Sequence, residues 1–262
     1  MDKRPIGIFD SGIGGTSIWG EIEELLPNEN CIYLADSKNA PYGEKLKEQI
    51  VEFSVKNTEF LLAQGCKIII VACNTATTNA IDFLRTSYKI PFIGIEPAIK
   101  PAAIHSKSKI VGVLATKGTL SSSLFHSTTK NHAAGITVLE QRGTGLVELI
   151  ESGNLESKEL YQLLESYIMP MLDKGMDYLV LGCTHYPYLI PILKKMLPSN
   201  VMIIDSGQAV ARQTKMVLDK NELLNTSTEQ GMHQFYTNSD EKVLSAILEH
   251  ITANYAVSFK DF

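Results

Sequence analysis

The feature that most constrains this chain is an apolar strand ending in cysteine that occurs twice. GCKIIIVACNT (65–75) and GMDYLVLGCTH (175–185) align without a gap at an offset of 110 residues, which superposes Cys73 on Cys183. Two further pairs fall in the same order. IGIFDS (6–11) matches VGVLAT (111–116) at an offset of 105, and FIGIEP (92–97) matches MIIDSG (202–207) at 110, bringing Glu96 near Asp205. Three matches in one order predict a duplicated unit. Short buried strands resemble one another, which accounts for the apolar runs. It does not account for a cysteine followed by small polar residues at the same strand end in both copies.

The rest of the chain alternates such runs with helical spacing. Strands are predicted at Pro5–Asp10, Cys31–Ala35, Lys67–Cys73 and Pro91–Glu96, then at Lys109–Ala115, Ile136–Glu140, Asp177–Cys183 and Val201–Asp205, with a last one at His233–Tyr236. Between them, apolar residues recur at helical spacing: Ile18, Ile22, Leu25 and Leu26, then Leu46, Ile50, Phe53 and Phe60. The second half repeats this at Leu120–Asn131, Lys158–Leu172, Tyr188–Leu197 and Ala209–Leu218. An amphipathic helix through Val243, Ile247, Leu248 and Ile251 closes the chain. Near-continuous apolar strands alternating with helices argue for parallel βαβ units covered on both faces. The expected fold class is α/β, with two pseudo-symmetric lobes, each a mainly parallel sheet flanked by helices, and an active site in the cleft between them. Lobe one would take residues 1–97 and 208–262, and lobe two residues 98–207.

Composition excludes several classes. The net charge of −5 supplies no basic face for nucleic acid. The start, MDKRPIGIFDSG, lacks a secretory signal, and IIIVAC and YLVLGC are too short to span a bilayer. A cytoplasmic chain is expected, with no membrane partner. The four cysteines, Cys31, Cys66, Cys73 and Cys183, are scattered, without CxxC or HxxxH, so thiols are expected and no metal. DSGIGG (10–15) is neither GxGxxG nor a P-loop.

Ligands of open parallel sheets bind beyond the carboxyl ends of the strands. Asp10, Ser11, Asp36, Cys73, Asn74, Glu96, Thr116, Cys183, Thr184, His185 and Asp205 all fall there. If the lobes face each other, two thiols meet across one cleft. Proton transfer at a stereocentre uses such a pair: a thiolate removes the proton from one face and a thiol supplies one to the other. Thiols suit this because neighbours and helix N-termini readily lower their pKa. The polar residues after each cysteine could hold a carboxylate at a helix start. Asp10 and His185 could each take a proton from the adjacent thiol, Asp10 alternatively from a substrate ammonium. Other readings stay open: a hydrolase using Cys73 or Cys183 with His185, or an amino-acid binder with incidental cysteines. For Cys31 and Cys66 a buried thiol suffices.

DSGIGG (10–15), ADSKNAPYG (35–43), ACNTAT (72–77), GIEPA (94–98), GCTHYP (182–187) and IIDSG (203–207) together resemble the bacterial glutamate racemases, in that family's order and spacing; FYTNSD (235–240) resembles its closing strand. The resemblance implies cofactor-independent interconversion of L- and D-glutamate for peptidoglycan synthesis, and a homodimer. It implies Cys73 and Cys183 as the two bases, with Asp10 and His185 assisting. Substrate contacts carry over to Asp10, Ser11, Tyr42, Gly43, Asn74, Thr75, Thr184 and His185, and further to Thr116, Thr119 and Glu151. Racemisation of aspartate or another amino acid would keep the machinery and change the side-chain pocket. One segment departs: where many members carry a Cys-Pro pair and a further proline, this chain reads RGTGLVELIE (142–151). The chain also starts almost at its first strand, without the extension on which some members bind a cell-wall precursor, so such activation is not expected.

Overall fold

Ten strands and eleven helices are arranged around two sheets in the computed structural model, which describes residues 1–249 and 251–262. The first half runs β1 (Ile6–Asp10), α1 (Thr16–Leu25), β2 (Cys31–Ala35), α2 (Lys47–Ala63), β3 (Ile68–Val71), α3 (Asn74–Ser87) and β4 (Phe92–Gly94). The second runs α4 (Ile99–His105), β5 (Ile110–Ala115), α5 (Lys117–Leu120), α6 (Ser123–His132), β6 (Thr137–Arg142), α7 (Leu146–Glu151), α8 (Lys158–Asp173), β7 (Tyr178–Gly182), α9 (Ile190–Met196) and β8 (Met202–Ile204). The chain ends with α10 (Gly207–Lys220), β9 (Met232–Thr237), α11 (Glu241–Leu248) and β10 (Asn254–Phe259).

Sheet order makes the duplication visible. The first sheet is ordered β10-β9-β2-β1-β3-β4 and the second β6-β5-β7-β8, so the second repeats the last four strands of the first. Strand pairing is parallel in both. Register agrees with the sequence offsets: Gly7 pairs with Ile69, and its counterpart Gly112 pairs with Leu179. Both glycines lie under a side chain that enters the cysteine strand. A Cβ on Gly7 would come 3.0 Å from Cys66 Sγ, and one on Gly112 would come 2.6 Å from Met176 Sδ. Cys66 is thus a packing residue with a methionine counterpart 110 positions on.

The strands are near-continuously apolar because both faces are covered. Ile68 and Ile70 of β3 join one apolar cluster with Ile6, Ile8 and Trp19, while Ile69 and Val71 join another with Phe9, Leu61 and Leu84. In β7, Leu179 and Leu181 enter the first of these clusters and Val180 a third with Val111 and Val113. Each such side chain removed from water contributes about 1.5–3 kcal/mol. The first cluster extends from one sheet to the other, so their inner faces share a core.

Four expectations need correction. NYAVSF (254–259) is a tenth strand; it lies at the sheet edge with one half-covered face, so its apolar residues are too few to stand out. The last helix ends at Leu248, with Ile251 beyond it and His250 outside the described residues. The helix expected at Leu120–Asn131 is two, because Ser122 restarts it by accepting from Phe125 N–H. The fourth strands align one residue differently: Phe92 pairs with Ile69 but Ile203 with Leu179, an offset of 111.

Candidate active site

The carboxyl ends of β1 and of the equivalent strands β3 and β7 bring together most of the residues singled out above. Cys73 follows β3 and is the N-cap of α3: its Sγ accepts from Ala76 N–H at 3.4 Å and its S–H donates to Ser11 Oγ at 3.6 Å. A sulfur at a helix N-terminus is stabilised as the anion. Here, however, burial, and after it the nearby Asp10 carboxyl, push the Cys73 thiol up. With the cleft closed, burial outweighs the helix N-terminus at Cys73.

Cys183 follows β7 directly. Its Sγ stands 3.8 Å from His185 Nδ1, and His185 Nε2 meets Glu151 Oε1 at 2.5 Å. Burial opposes charge on this imidazole, but the Cys183 sulfur and the Glu151 carboxylate prevail and hold it well above its ordinary value. Burial likewise opposes the Glu151 carboxylate, and His185, Ile13 N–H and Ser37 prevail, leaving it lowered. Two of those donors lie on the first-sheet side: Ile13 N–H at 2.7 Å to Oε1 and Ser37 Oγ at 2.9 Å to Oε2. Glu151 thus joins the α7 end to the loop after β1, which is why a Cβ on Gly12 would collide with its carboxylate and one on Gly14 with the His185 ring.

Asp10 ends β1 and is fully buried. Its Oδ2 accepts from Gly12 N–H at 3.1 Å, and its Oδ1 accepts from Thr184 Oγ1 at 3.0 Å across the cleft. Burial pushes its carboxyl up, against His185 and Thr184. Thr75, Thr116 and Thr119 form a hydroxyl cluster, with Thr75 Oγ1 2.8 Å from Thr116 Oγ1 and the latter 3.1 Å from Thr119 Oγ1. Gly43 approaches closely, since a Cβ there would lie 2.8 Å from Thr116 Cβ. The Tyr42 hydroxyl is engaged outside this cluster, donating to Asp36 and accepting from Asn57 at 3.2 Å. Asn74 is buried at 3% exposure, and neither amide atom has a hydrogen-bond partner among the described residues. Buried amides are normally satisfied, so Asn74 is equipped to bind something polar.

Two strand-end acids lie elsewhere. Glu96 is exposed and accepts from Thr128 Oγ1 at 2.9 Å; Asp205 accepts from Gly207 N–H at the start of α10. Asp36 is a buried anchor that also accepts from Asn238 and Asn39. Ser37, Ile13 N–H and Tyr186, whose hydroxyl donates to Gly143 O, were not singled out from the sequence, although all three lie inside the motifs. Both cysteines are buried, at 5% and 7% exposure, so neither sulfur can be reached from solvent while the sheets stay closed. No helix among the described residues is long and apolar enough to cross a membrane.

The family model for Asp/Glu/Hydantoin racemases matches residues 10–214. A glutamate racemase of Ectopseudomonas mendocina is 47% identical over 249 residues, covering 95% of this chain and 94% of its own length. Among solved structures, a glutamate racemase isoform of Bacillus anthracis superposes with a TM-score of 0.88 at 28% identity, covering 100% of this chain and 99% of that one. The Escherichia coli glutamate racemase, solved with L-glutamate, gives 0.85 at 32% identity over 98% of both chains. The chain therefore belongs to the aspartate/glutamate racemase family and, within it, to the glutamate racemases.

Proposed function

We propose that this chain racemises glutamate through two thiols, Cys73 and Cys183, and supplies D-glutamate in the cytoplasm for peptidoglycan synthesis. One observation carries the two-thiol reading: the cysteines end equivalent strands of a duplicated fold, in a cleft where Asn74 lacks a partner among the described residues. Lobes 1–97 with 208–262 and 98–207 would close on the substrate with its α-carbon between the sulfurs. One sulfur, as thiolate, takes the α-proton. The electron pair stays with the substrate as a carbanion beside its carboxylate, and the other thiol protonates the opposite face.

Asn74, Thr75, Ser11, Thr184 and the Tyr42-Gly43 backbone would receive the polar groups, with Thr116 and Thr119 closing the distal end. Asp10 would assist at Cys73 and His185, held by Glu151, at Cys183. The test is racemisation and α-proton exchange in D2O with L- and D-glutamate, with aspartate alongside. Cys73→Ser and Cys183→Ser should each abolish inversion yet exchange the α-proton of opposite single enantiomers. Full activity after loss of either thiol would end the proposal. A homodimer belongs to the same reading, and sedimentation giving only monomer would remove it.

A further inference from the structure

The divergent RGTG segment begins with a residue that crosses the cleft mouth. Arg142 ends β6 on the second sheet, and its terminal nitrogen meets Glu44 Oε1 at 2.6 Å; Glu44 belongs to the short turn Tyr42–Glu44 that follows β2 of the first. The two side chains are 41% and 43% exposed, so they sit at the rim. Behind them a narrow groove is lined by Gly43, Thr116, Lys117, Thr144 and Glu148, and it leads to the threonine cluster. Arg142 Nε is buried there without a partner among the described residues, so the guanidinium is held across the mouth by its Glu44 contact.

Each end of this pair is wired to the site. Glu44 is next to Gly43, which packs against Thr116. On the other side, Gly143 N–H donates to Ala115 O at 3.0 Å, and its carbonyl accepts from Tyr186 OH at 3.2 Å, three residues after Cys183. Opening the sheets far enough to admit a substrate must separate two anchored, oppositely charged side chains.

We propose that Arg142 is a positioning residue, a clasp that with Glu44 sets how much of the time the cleft is closed over Cys73 and Cys183. It rests on the reading of that cleft as the substrate site, but opening can be measured without turnover. Labelling of a buried thiol tracks the open population when reclosing is fast. Iodoacetamide labelling followed by peptide mass spectrometry reads each cysteine separately, and the buried Cys31 and Cys66, at the amino ends of β2 and β3 and so at the opposite end of the sheet from the cleft, serve as reference thiols.

A rim ion pair of this exposure is worth about a two- to fivefold change in an equilibrium. Arg142→Ala and Glu44→Ala should therefore each label Cys73 and Cys183 about two- to fivefold faster, with Cys31 and Cys66 unchanged. The charge-exchanged double variant, Arg142→Glu with Glu44→Arg, should return toward the parent rate. High salt should speed labelling in the parent and leave the single variants alone. In the racemase assay KM should rise by a similar factor for both enantiomers without loss of kcat. Unchanged labelling of Cys73 and Cys183, equal acceleration of all four thiols, or a kcat loss at constant KM would each overturn the clasp. If labelling behaves as stated but no glutamate is racemised, the clasp stands and the substrate assignment falls.

Discussion

Replacing Glu151 with Gln removes one charge from the cleft while keeping the shape of the side chain. An amide oxygen facing Ile13 N–H and His185 Nε2 can keep both bonds, and the amide NH2 can donate to Ser37 Oγ, a hydroxyl free to turn and accept. What is lost is the counter-charge of a buried imidazolium at 2.5 Å. A charge-assisted bond of this kind is worth about 2–3 kcal/mol, so kcat/KM should fall about 30- to 160-fold. The loss must be identical for L- and D-glutamate. The enantiomers have equal free energy in water, so the ratio of kcat/KM in the two directions is fixed at unity for any variant. The pH dependence has a definite sign. His185 is held above its ordinary 6.5, so its imidazolium persists to higher pH and is lost as pH rises through the raised value. Without the carboxylate that value drops, and the high-pH limb of the rate profile moves toward neutrality. The assay is circular dichroism of each enantiomer across pH. A Gln variant within threefold of the parent, with its high-pH limb unmoved, would refute the role given to the His185–Glu151 pair.

Three other perturbations are decided by the same structure. Gly14→Ala drives a methyl into the His185 ring, 2.6 Å from Cγ, and overpacking of about 1–3 kcal/mol should cut kcat/KM about 5- to 150-fold while melting temperature changes little, because the sheets can relieve the clash by parting; steady-state kinetics beside a melting curve checks this. Tyr42→Phe leaves the buried Asp36 and Asn57 short of a partner, at about 1–3 kcal/mol, and loosens the Gly43 backbone, so KM should rise more than kcat falls. His233, buried against Trp19 with Nδ1 accepting from the indole N–H at 3.2 Å, is pushed down to about 4 by burial. Its contribution is intact above the unfolded value of 6.5 and is lost as pH falls toward 4, about 2 kcal/mol by pH 5. Denaturation followed by the fluorescence of Trp19, the chain's one tryptophan, should lose that pH slope in His233→Gln, and equal slopes in both proteins would contradict it.

What could be read in advance follows from which constraints are local in the chain. Strand alternation and the 110-residue spacing of Cys73 and Cys183 are properties of short segments. They carried over to strand order and to the register of Gly7 on Ile69 and Gly112 on Leu179. The slip at β4 and β8 escaped because three-residue strands contain too little pattern to settle one residue. Glu151 was named only through family resemblance, since nothing near residue 151 marks a carboxylate that will meet a histidine 34 positions later. The anchoring of Tyr42 by Asp36, and of Asp36 by Asn238 across 202 positions, was equally invisible. The titration of Cys73 was not legible for a different reason: its helix-start position is a sequence property, but the burial that outweighs it arises only when two sheets close.

The duplication explains why there are two thiols, and its imperfections explain why they are not equal. At the offset of 105 that relates β1 to β5, the counterpart of Asp10 is Ala115. At the offset of 110 that relates β3 to β7, the counterpart of His185 is Thr75. Each copy carries one ionisable helper that the other lacks, so a carboxyl stands beside Cys73 and an imidazole beside Cys183. In the closed form burial and Asp10 push the Cys73 thiol up, while the Cys183 sulfur faces the His185 ring 3.8 Å away, whose own pKa is held well above its ordinary value. A fully symmetric pair would hold both sulfurs in the same state, with nothing to distinguish donor from acceptor. Divergence at two positions creates that distinction without moving either cysteine from its strand end. On the two-thiol reading proposed above, such a difference gives a preferred resting arrangement, matched to one enantiomer and opposite to the one its turnover leaves behind. For that reason kcat and KM are free to differ between L- and D-glutamate by a common factor, even though their ratio cannot.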